Sequence, residues 1–251
     1  MIMIFEYVRL FIKVAFSNKI GVVMTLILPI LLILLRNNQW TSNPPPINNI
    51  LLTIILWWGY IYSISILNGV GVNQLVLREQ GFLKLFKFIS GSTIPIFIGN
   101  LISQFLFTFV TISVFNIVVA LMFGISFFEL FFASTVTLVV LILPLGFYVS
   151  WIAYLPVKQE TVTSLTALSI FPLLFFTTNA INIDSPFSFL LLLNPIELTQ
   201  QVAKYFLNVI TNYHLDVQFS SITIFLFLLL YIGIGLYFIP RIKIITIKNK
   251  T

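Results

Sequence analysis

The residues best suited to act on another molecule lie at 78–91, in a chain of which only 8% of the residues are charged. Arg78 and Glu79 open this segment, and Lys84 and Lys87 follow on one face of a helix. The opposite face is apolar and carries Phe82, Leu85, Phe86 and Ile89. Such a helix rests in a membrane interface and offers its charges to a charged partner surface. We therefore interpret residues 78–91 as an interfacial helix and a candidate docking element.

Side chains that catalyse reactions or bind metals are scarce. The chain has no cysteine, and its one histidine, His214, has no neighbouring ligand residues. A disulfide framework, a thiolate metal site and a nucleophile–base pair are therefore disfavoured. The phosphate-binding pattern G-x-x-x-x-G-K-[ST] does not occur either. We expect no enzyme, no metal and no cofactor in this chain, so any ATP that it uses must be hydrolysed by another chain.

The elements that position this segment are predicted to be membrane helices. Hydrophobic residues make up 59% of the chain, and several apolar runs exceed the roughly 18 residues that a helix needs to cross a bilayer. In hydrocarbon each backbone amide must be hydrogen-bonded, and long runs without period-two alternation favour helices. The sequence thus predicts an all-α polytopic membrane protein and excludes the soluble enzyme classes.

Six apolar segments are predicted to span the membrane: 20–35, 49–72, 94–123, 130–155, 161–177 and 220–239. Because the count is even, both termini lie on one side, and the basic residues identify that side as the cytoplasm. The basic residues assigned to it are Arg9, Lys13, Lys19, Arg78, Lys84, Lys87, Lys158, Arg241, Lys243, Lys248 and Lys250. The net charge of +6 then reflects orientation in a bacterial cytoplasmic membrane and needs no nucleic-acid partner.

Residues 1–18 predict a second interfacial helix. Glu6, Arg9 and Lys13 form one narrow polar stripe, and the remaining positions are almost all apolar. We expect this helix to lie in the cytoplasmic interface with the stripe toward the cytoplasm, where it extends the docking element at residues 78–91.

The fifth apolar segment, 161–177, is short for a complete crossing and contains Pro172. The apolar run 186–193 that follows it is too short to span a bilayer. Irregular backbone is tolerated at membrane depth only where protein or a cavity surrounds it. We therefore predict an external re-entrant hairpin over residues 178–212.

Within this hairpin, a helix is predicted to begin at Asn194, with Pro195 at the first helical position and Glu197 reaching back to the Asn194 cap. The polar positions of this helix are Gln200, Gln201, Lys204, Asn208 and Thr211, and the apolar positions are Val202, Ala203, Phe206, Val209 and Ile210. We expect it to rest on the external membrane surface with its polar face in water. Asn194 and Pro195 can be structural caps or substrate contacts.

The six predicted spans contain no ionisable side chain away from their ends. Proton carriers and many ion-coupled pumps use such groups, so a proton antiporter is disfavoured. Sodium coupling through carbonyl and hydroxyl oxygens stays open, since broken helices can supply those ligands. An ion-coupled secondary transporter and a non-transport membrane immunity or scaffold protein are therefore alternative functions.

In the order of its features the chain resembles the ABC type-2 exporter permeases. That family has a cytoplasmic interfacial helix, six spans, an acidic-glycine coupling motif after the second span and an external re-entrant hairpin before the sixth. The coupling motif is matched by Arg78-Glu79-Gln80-Gly81-Phe82-Leu83-Lys84-Leu85, with one residue fewer before the glycine and no proline downstream. The run Asn194-Pro195-Ile196-Glu197-Leu198 matches the Asn-Pro that opens the helix after the hairpin.

The resemblance implies that two permeases, identical or related, pair with two separate ATPase subunits, which bind ATP and Mg and power export. The residues it assigns to ATPase docking and coupling are Arg78, Glu79, Gly81, Phe82, Lys84, Lys87, Glu6, Arg9 and Lys13. Lys84 and Lys87 can instead anchor the helix to anionic lipid in the surrounding bilayer.

In that family the second and fifth spans line the substrate path. The candidates for it here are Trp57, Ser63, Asn68 and Phe175, although Trp57 can instead belong to an aromatic girdle. A path without fixed charge suits a hydrophobic or amphipathic cargo such as a peptide, lantibiotic or drug. In its small size and extreme hydrophobicity the chain is similar to permeases of peptide-toxin export, including exporters of phenol-soluble modulins, and of bacteriocin self-protection.

Two features predict close packing between helices. Gly59 with Ser63 forms a small-xxx-small pair that permits a close helix approach, and Asn100 and Gln104 lie one turn apart in the third segment. We expect the two amides to make hydrogen bonds between helices.

Overall fold

The structure is a computed structural model that describes residues 2–41, 43–179, 188–211 and 213–242. Within these ranges the long regular elements are all helices: α1 (Ile2–Ser17), α2 (Lys19–Arg36), α3 (Ile47–Glu79), α4 (Phe82–Ser90), α5 (Ile94–Phe123), α6 (Phe127–Tyr154), α7 (Gln159–Asn179), α8 (Pro195–Ile210) and α9 (Ser221–Arg241). Five of them, α2, α3, α5, α6 and α9, are long and apolar enough to cross a membrane. The predicted class, an all-α polytopic membrane protein, is confirmed to this extent.

The predicted segments agree closely with these helices, with two differences. The second segment was expected to end at 72, but α3 continues to Glu79 through a π-helical stretch at Leu67–Val72. The fifth segment forms α7, which contains Pro172 and is not among the five helices that meet the criteria for a span. The structure therefore contains five candidate spans in its described ranges and leaves the sixth as a prediction.

Several predictions fall on residues that the structure does not describe. These are the part of the hairpin at 180–187, which includes Asp184 and Pro186, and the C-terminal Lys243, Lys248 and Lys250. A short 3₁₀ helix, Ser188–Leu193, lies between that undescribed part and α8.

The helix at the centre of the bundle is α3. Of the residues in its apolar stretch, 78% are buried, whereas the corresponding shares are 17% for α2 and 22% for α9. A buried helix must satisfy its polar side chains internally, and α3 does so with α5 and α6. The Trp58 indole donates to Asn116 Oδ1 at 2.8 Å, and Asn116 Nδ2 donates to Ser134 Oγ at 2.8 Å. The Tyr62 hydroxyl donates to the Ser134 carbonyl at 2.7 Å.

This network leads to a first prediction. Asn116→Leu keeps the side-chain volume but removes the acceptor of the Trp58 indole, which would be left buried and unpaired. We expect the free energy of unfolding to fall by about 2 kcal/mol, measured by thermal unfolding of the purified protein in detergent. Ser113→Ala is the control, because its hydroxyl donates only to the Phe109 carbonyl of its own helix. Equal stability of the two variants would contradict the prediction.

The two amides of the third segment do bond between helices, as predicted. Gln104 Nε2 donates to Ser65 Oγ on α3 at 2.5 Å, and Asn100 Oδ1 accepts from Asn73 Nδ2 at 3.4 Å. Ser65 also shares a 2.7 Å hydrogen bond with Thr108. These hydrogen bonds hold α5 against α3 through a row of polar side chains between the two helices.

Helix α1 packs lengthwise along the first half of α5. Ser103 Oγ donates to the Val8 carbonyl at 3.0 Å, and further along both helices the rings of Phe16 and Phe107 are 5.2 Å apart. Gly99 allows this approach, because a Cβ there would lie 2.6 Å from Tyr7 Cβ. The two helices therefore run side by side in the same direction, and the placement of α1 in a membrane interface stays a prediction.

Candidate functional site

Helix α8 lies inside the bundle, against α3 and α6, which corrects the prediction that it rests on an external surface. At Gly59 on α3, a Cβ would lie 2.9 Å from the Ile196 carbonyl oxygen at the start of α8. The polar side chains expected in water are buried instead: Gln200, Gln201 and Lys204. Two apolar side chains of the same helix, Val209 and Ile210, are exposed. The first half of the helix is therefore buried on its polar face as well as on its apolar face, and only its second half has exposed residues.

Two of the three predictions for the start of α8 are confirmed, those for Asn194 and Pro195. Asn194 is the N-cap, since its Oδ1 accepts from the Ile196 amide at 3.0 Å, and Pro195 is the first helical residue. Asn194 Nδ2 also donates to the Leu173 carbonyl and to Thr177 Oγ1, both at 2.9 Å. Asn194 therefore joins the end of α7 to the start of α8.

Glu197 does not reach back to the cap. Its Oε1 accepts a 2.6 Å hydrogen bond from Gln201 Nε2 on the next turn of α8. Gln201 in turn accepts from the Gln218 amide at 3.2 Å, and Asn208 makes two 2.8 Å hydrogen bonds with the Leu215 backbone. Glu197, Gln201 and Asn208 are thus hydrogen-bonded within α8 or to the chain that leads into α9, so these three side chains do not need water.

Two ionisable side chains are carried into the interior by this helix. Glu197 is 4% exposed and Lys204 is 8% exposed. Burial raises the pKa of the Glu197 carboxyl, opposed by the Gln201 hydrogen bond and the charge of Lys204. Burial lowers the pKa of the Lys204 ammonium, opposed by the charges of Glu197 and Asp216. Each group is therefore only partly compensated for its loss of water.

An apolar cavity of about 360 Å³ lies between α3, α6, α7 and the start of α8. Its walls include Tyr60, Ser63, Tyr148, Trp151, Leu173 and Ile196. The Ser63 hydroxyl is buried and has no hydrogen-bond partner among the described residues. A cavity of this lining accepts an apolar group and offers it one hydroxyl.

A polar cavity of about 260 Å³ lies further along the same helices. It is lined at the end of α2 by Arg36 and Asn37, on α3 by Thr53 and Trp57, on α7 by Thr177, and on α8 by Glu197, Gln200 and Lys204. The two cavities have no lining residue in common, but both lie along α3, α7 and α8. Trp57 faces the polar cavity and Tyr60 the apolar one, so the Gly59–Ile196 contact lies between them.

The predicted path residues are therefore only partly brought together. Ser63 lines the apolar cavity and Trp57 lines the polar cavity. Asn68 lies in the π-helical stretch of α3, and Phe175 is largely exposed on α7; neither is among the lining residues of these cavities. Three residues that line the polar cavity were not predicted as site residues: Arg36, Asn37 and Gln200.

Arg78 is buried and does not lie on the accessible docking surface that the sequence predicts. Its side chain is 2% exposed, and its guanidinium donates to the carbonyls of Ala153, Leu155 and Val157 at 2.6, 2.7 and 3.1 Å. Helix ends leave carbonyls without intrahelical partners, and a guanidinium presents several donors in a fixed fork. Arg78 therefore closes the end of α6 and fixes the connection to α7.

The predicted interfacial helix at 78–91 is divided at Gly81. Arg78 and Glu79 end α3, and Gly81 has a φ of 78°, a left-handed conformation that favours glycine. Helix α4 begins at Phe82 and ends at Ser90, and its C-cap, Gly91, has a φ of 72°. The chain therefore turns sharply between the central helix and α4.

Helices α1 and α4 form one surface at this end of the bundle. The rings of Tyr7 and Phe86 are 5.3 Å apart, and Leu83 is buried in the same cluster. The charged side chains of the two helices stay exposed: Glu6, Arg9, Lys13, Lys84 and Lys87. Four apolar side chains of α4 are exposed as well: Phe82, Leu85, Phe88 and Ile89. We call this pair of helices the α1–α4 surface.

The fold and these cavities define a polytopic helical membrane protein with an internal, partly polar site. No group of three His, Asp or Glu side chains that could hold a metal occurs in the described part of the chain. No protein-family model, curated protein or solved structure matches the chain.

Proposed function

We propose that this protein is the permease subunit of an ATP-driven exporter of the ABC type-2 class, acting in a bacterial cytoplasmic membrane on a hydrophobic or amphipathic peptide, lantibiotic or drug. The observation that carries the proposal is the pair of cavities along α3, α7 and α8. These helices come from the second and fifth apolar segments and the hairpin, where a path is expected in that class. In this proposal six crossings place both termini in the cytoplasm, and α8 belongs to a re-entrant external hairpin.

The energy comes from a separate ATPase chain, which binds ATP and Mg, and a second permease copy or paralogue completes the transporter. The α1–α4 surface is the proposed docking site, because its charged and apolar side chains are exposed while the two helices are held together by Tyr7, Leu83 and Phe86. Motion of α4 passes through the Gly81 turn into α3. Residues of α3 within 52–57 line the polar cavity, and residues within 60–67 line the apolar cavity.

The test of docking is a charge reversal on this surface. The double variant Lys84→Glu and Lys87→Glu is expected to reduce co-purification with the ATPase and ATP-driven export in proteoliposomes about tenfold, because like charges then face each other across the interface. Lys19→Glu with Lys158→Glu is the matched control, since it makes the same charge change at exposed positions outside the α1–α4 surface. Export by the permease alone, without any ATPase, would contradict the proposal.

One observation favours a second candidate, a proton-coupled secondary transporter. The predicted spans hold no Asp, Glu, Lys, Arg or His away from their ends, but α8 carries Glu197 and Lys204 into the bundle. Buried carboxylates of this kind carry protons in many transporters. Transport that follows an imposed proton gradient without ATPase, and is abolished by Glu197→Gln, would favour this candidate over the exporter.

A further inference from the structure

The polar cavity contains more hydrogen-bond donors than it uses. The Gln200 Nε2 and Asn37 Nδ2 atoms are buried and have no hydrogen-bond partner among the described residues. Both side chains line the cavity and are more than nine-tenths buried. Leaving such donors unpaired in an interior is costly, so a native cavity that keeps them is suited to a ligand that accepts hydrogen bonds.

The charges of the cavity also favour a ligand that accepts hydrogen bonds. Arg36 and Lys204 contribute two positive charges, and Glu197 contributes one negative charge that already accepts a hydrogen bond from Gln201. The charge of Asp216 also acts on Lys204, so Lys204 is opposed by two carboxylates, and Arg36 is the cation of the lining that has no carboxylate partner among the described residues. A ligand group with a single negative charge balances it.

The apolar part of the cavity lining indicates what the rest of the ligand is. Beside the charged groups, the cavity is lined by apolar side chains, Leu52, Leu56, Trp40 and Trp57. Its polar wall faces the inside of the bundle, whereas α8 turns Val209 and Ile210 outward. A site with a basic end, two buried amide donors and an apolar wall fits the carboxylate end of an amphipathic molecule better than the headgroup of a bilayer lipid.

We propose that the polar cavity binds a carboxylate group carried on an apolar chain, held by Arg36, Lys204, Gln200 and Asn37. This inference rests on the proposed function in one respect: in an exporter, the carboxylate belongs to the cargo on its way out. A guanidinium can bind a carboxylate through two parallel hydrogen bonds, which gives the site its selectivity over neutral molecules.

Binding is tested on the purified permease in uncharged detergent, with no ATPase present, so that failure here leaves the exporter proposal to its own test. The probes are butyrate and its neutral isostere butyramide, measured by titration calorimetry and by the fluorescence of Trp40 and Trp57. We expect butyramide to bind at least about tenfold more weakly than butyrate, and Lys204→Met and Gln200→Leu each to weaken butyrate about tenfold.

Lys19→Met is the control and is expected to leave butyrate binding unchanged, because Lys19 is exposed and outside the cavity. Gln200→Leu removes a donor without changing charge, so it tests the site even if Lys204→Met fails to fold. Equal binding of butyrate and butyramide, or unchanged binding in Gln200→Leu, would overturn the inference. Binding of a short-chain phosphatidylglycerol with no binding of butyrate would overturn it too and identify a lipid phosphodiester site.

Discussion

Arg78→Ala is expected to lower the free energy of unfolding by about 3 to 5 kcal/mol and the unfolding temperature in detergent by about 10 °C. The guanidinium donates to three carbonyls at the end of α6 and in the connection to α7, at residues Ala153, Leu155 and Val157. Truncation leaves these carbonyls without a donor and removes charge-assisted hydrogen bonds, which are about twice as strong as neutral ones.

The control for Arg78 is Lys84→Ala, an exposed basic residue of α4, which is expected to change stability by less than about 0.5 kcal/mol. Arg78→Lys is expected to fall between the two, because one ammonium cannot reproduce the forked geometry. Arg78→Ala with the stability of Lys84→Ala, but with ATPase association lost, would show that the side chain acts in docking and not in closing α6.

Gly59→Leu is expected to have the largest effect on transport. A Cβ at this position would already lie 2.9 Å from the Ile196 carbonyl oxygen and 3.0 Å from Ile196 Cγ2. The carbonyl belongs to the backbone of α8 and cannot rotate away, so a leucine must push α8 from α3 or fill the space between the two cavities. We expect overpacking to cost about 2 kcal/mol and ATP-driven export to fall more than about tenfold.

The control for Gly59 is Gly233→Leu on α9, where a Cβ would meet no atom within 4 Å. Both variants make the same change in the interior of an apolar helix, and Gly233→Leu is expected to keep export and stability. Stability and export are measured on the same preparations, so that a merely unfolded protein is recognised. Full export by a folded Gly59→Leu would show that cargo does not pass the Gly59–Ile196 contact.

Much of the fold was predictable because length and hydropathy act locally. The third segment, 94–123, has the same bounds as α5, since a mainly apolar run of thirty residues is followed by Gly124 in a left-handed conformation. The Asn194 cap was predictable for the same reason: a side chain that accepts from an amide two residues ahead needs no tertiary contact. The interhelical hydrogen bonds of Asn100 and Gln104 followed from the cost of amides in an apolar helix.

The candidate site was less predictable, because periodicity identifies a polar face but not its surroundings. The spacing of Gln200, Gln201, Lys204, Asn208 and Thr211 predicted such a face on α8, and water was the expected partner. A polar group is satisfied equally by protein, and here Gln218 and Leu215 bond Gln201 and Asn208, while Gln200 faces a cavity. Which partner satisfies a polar side chain depends on residues distant in sequence.

The sequence by itself determined that this chain is a helical membrane protein with an amphipathic, charged element after its second apolar segment, because hydropathy and helical spacing are properties of each segment alone. Only the tertiary structure decided that Arg78 is buried while Lys84 and Lys87 are exposed, and that α8 places a carboxylate and an ammonium inside the bundle. Those outcomes depend on which carbonyls and side chains come within hydrogen-bond distance, and only the packing of α3, α6 and α8 brings them there.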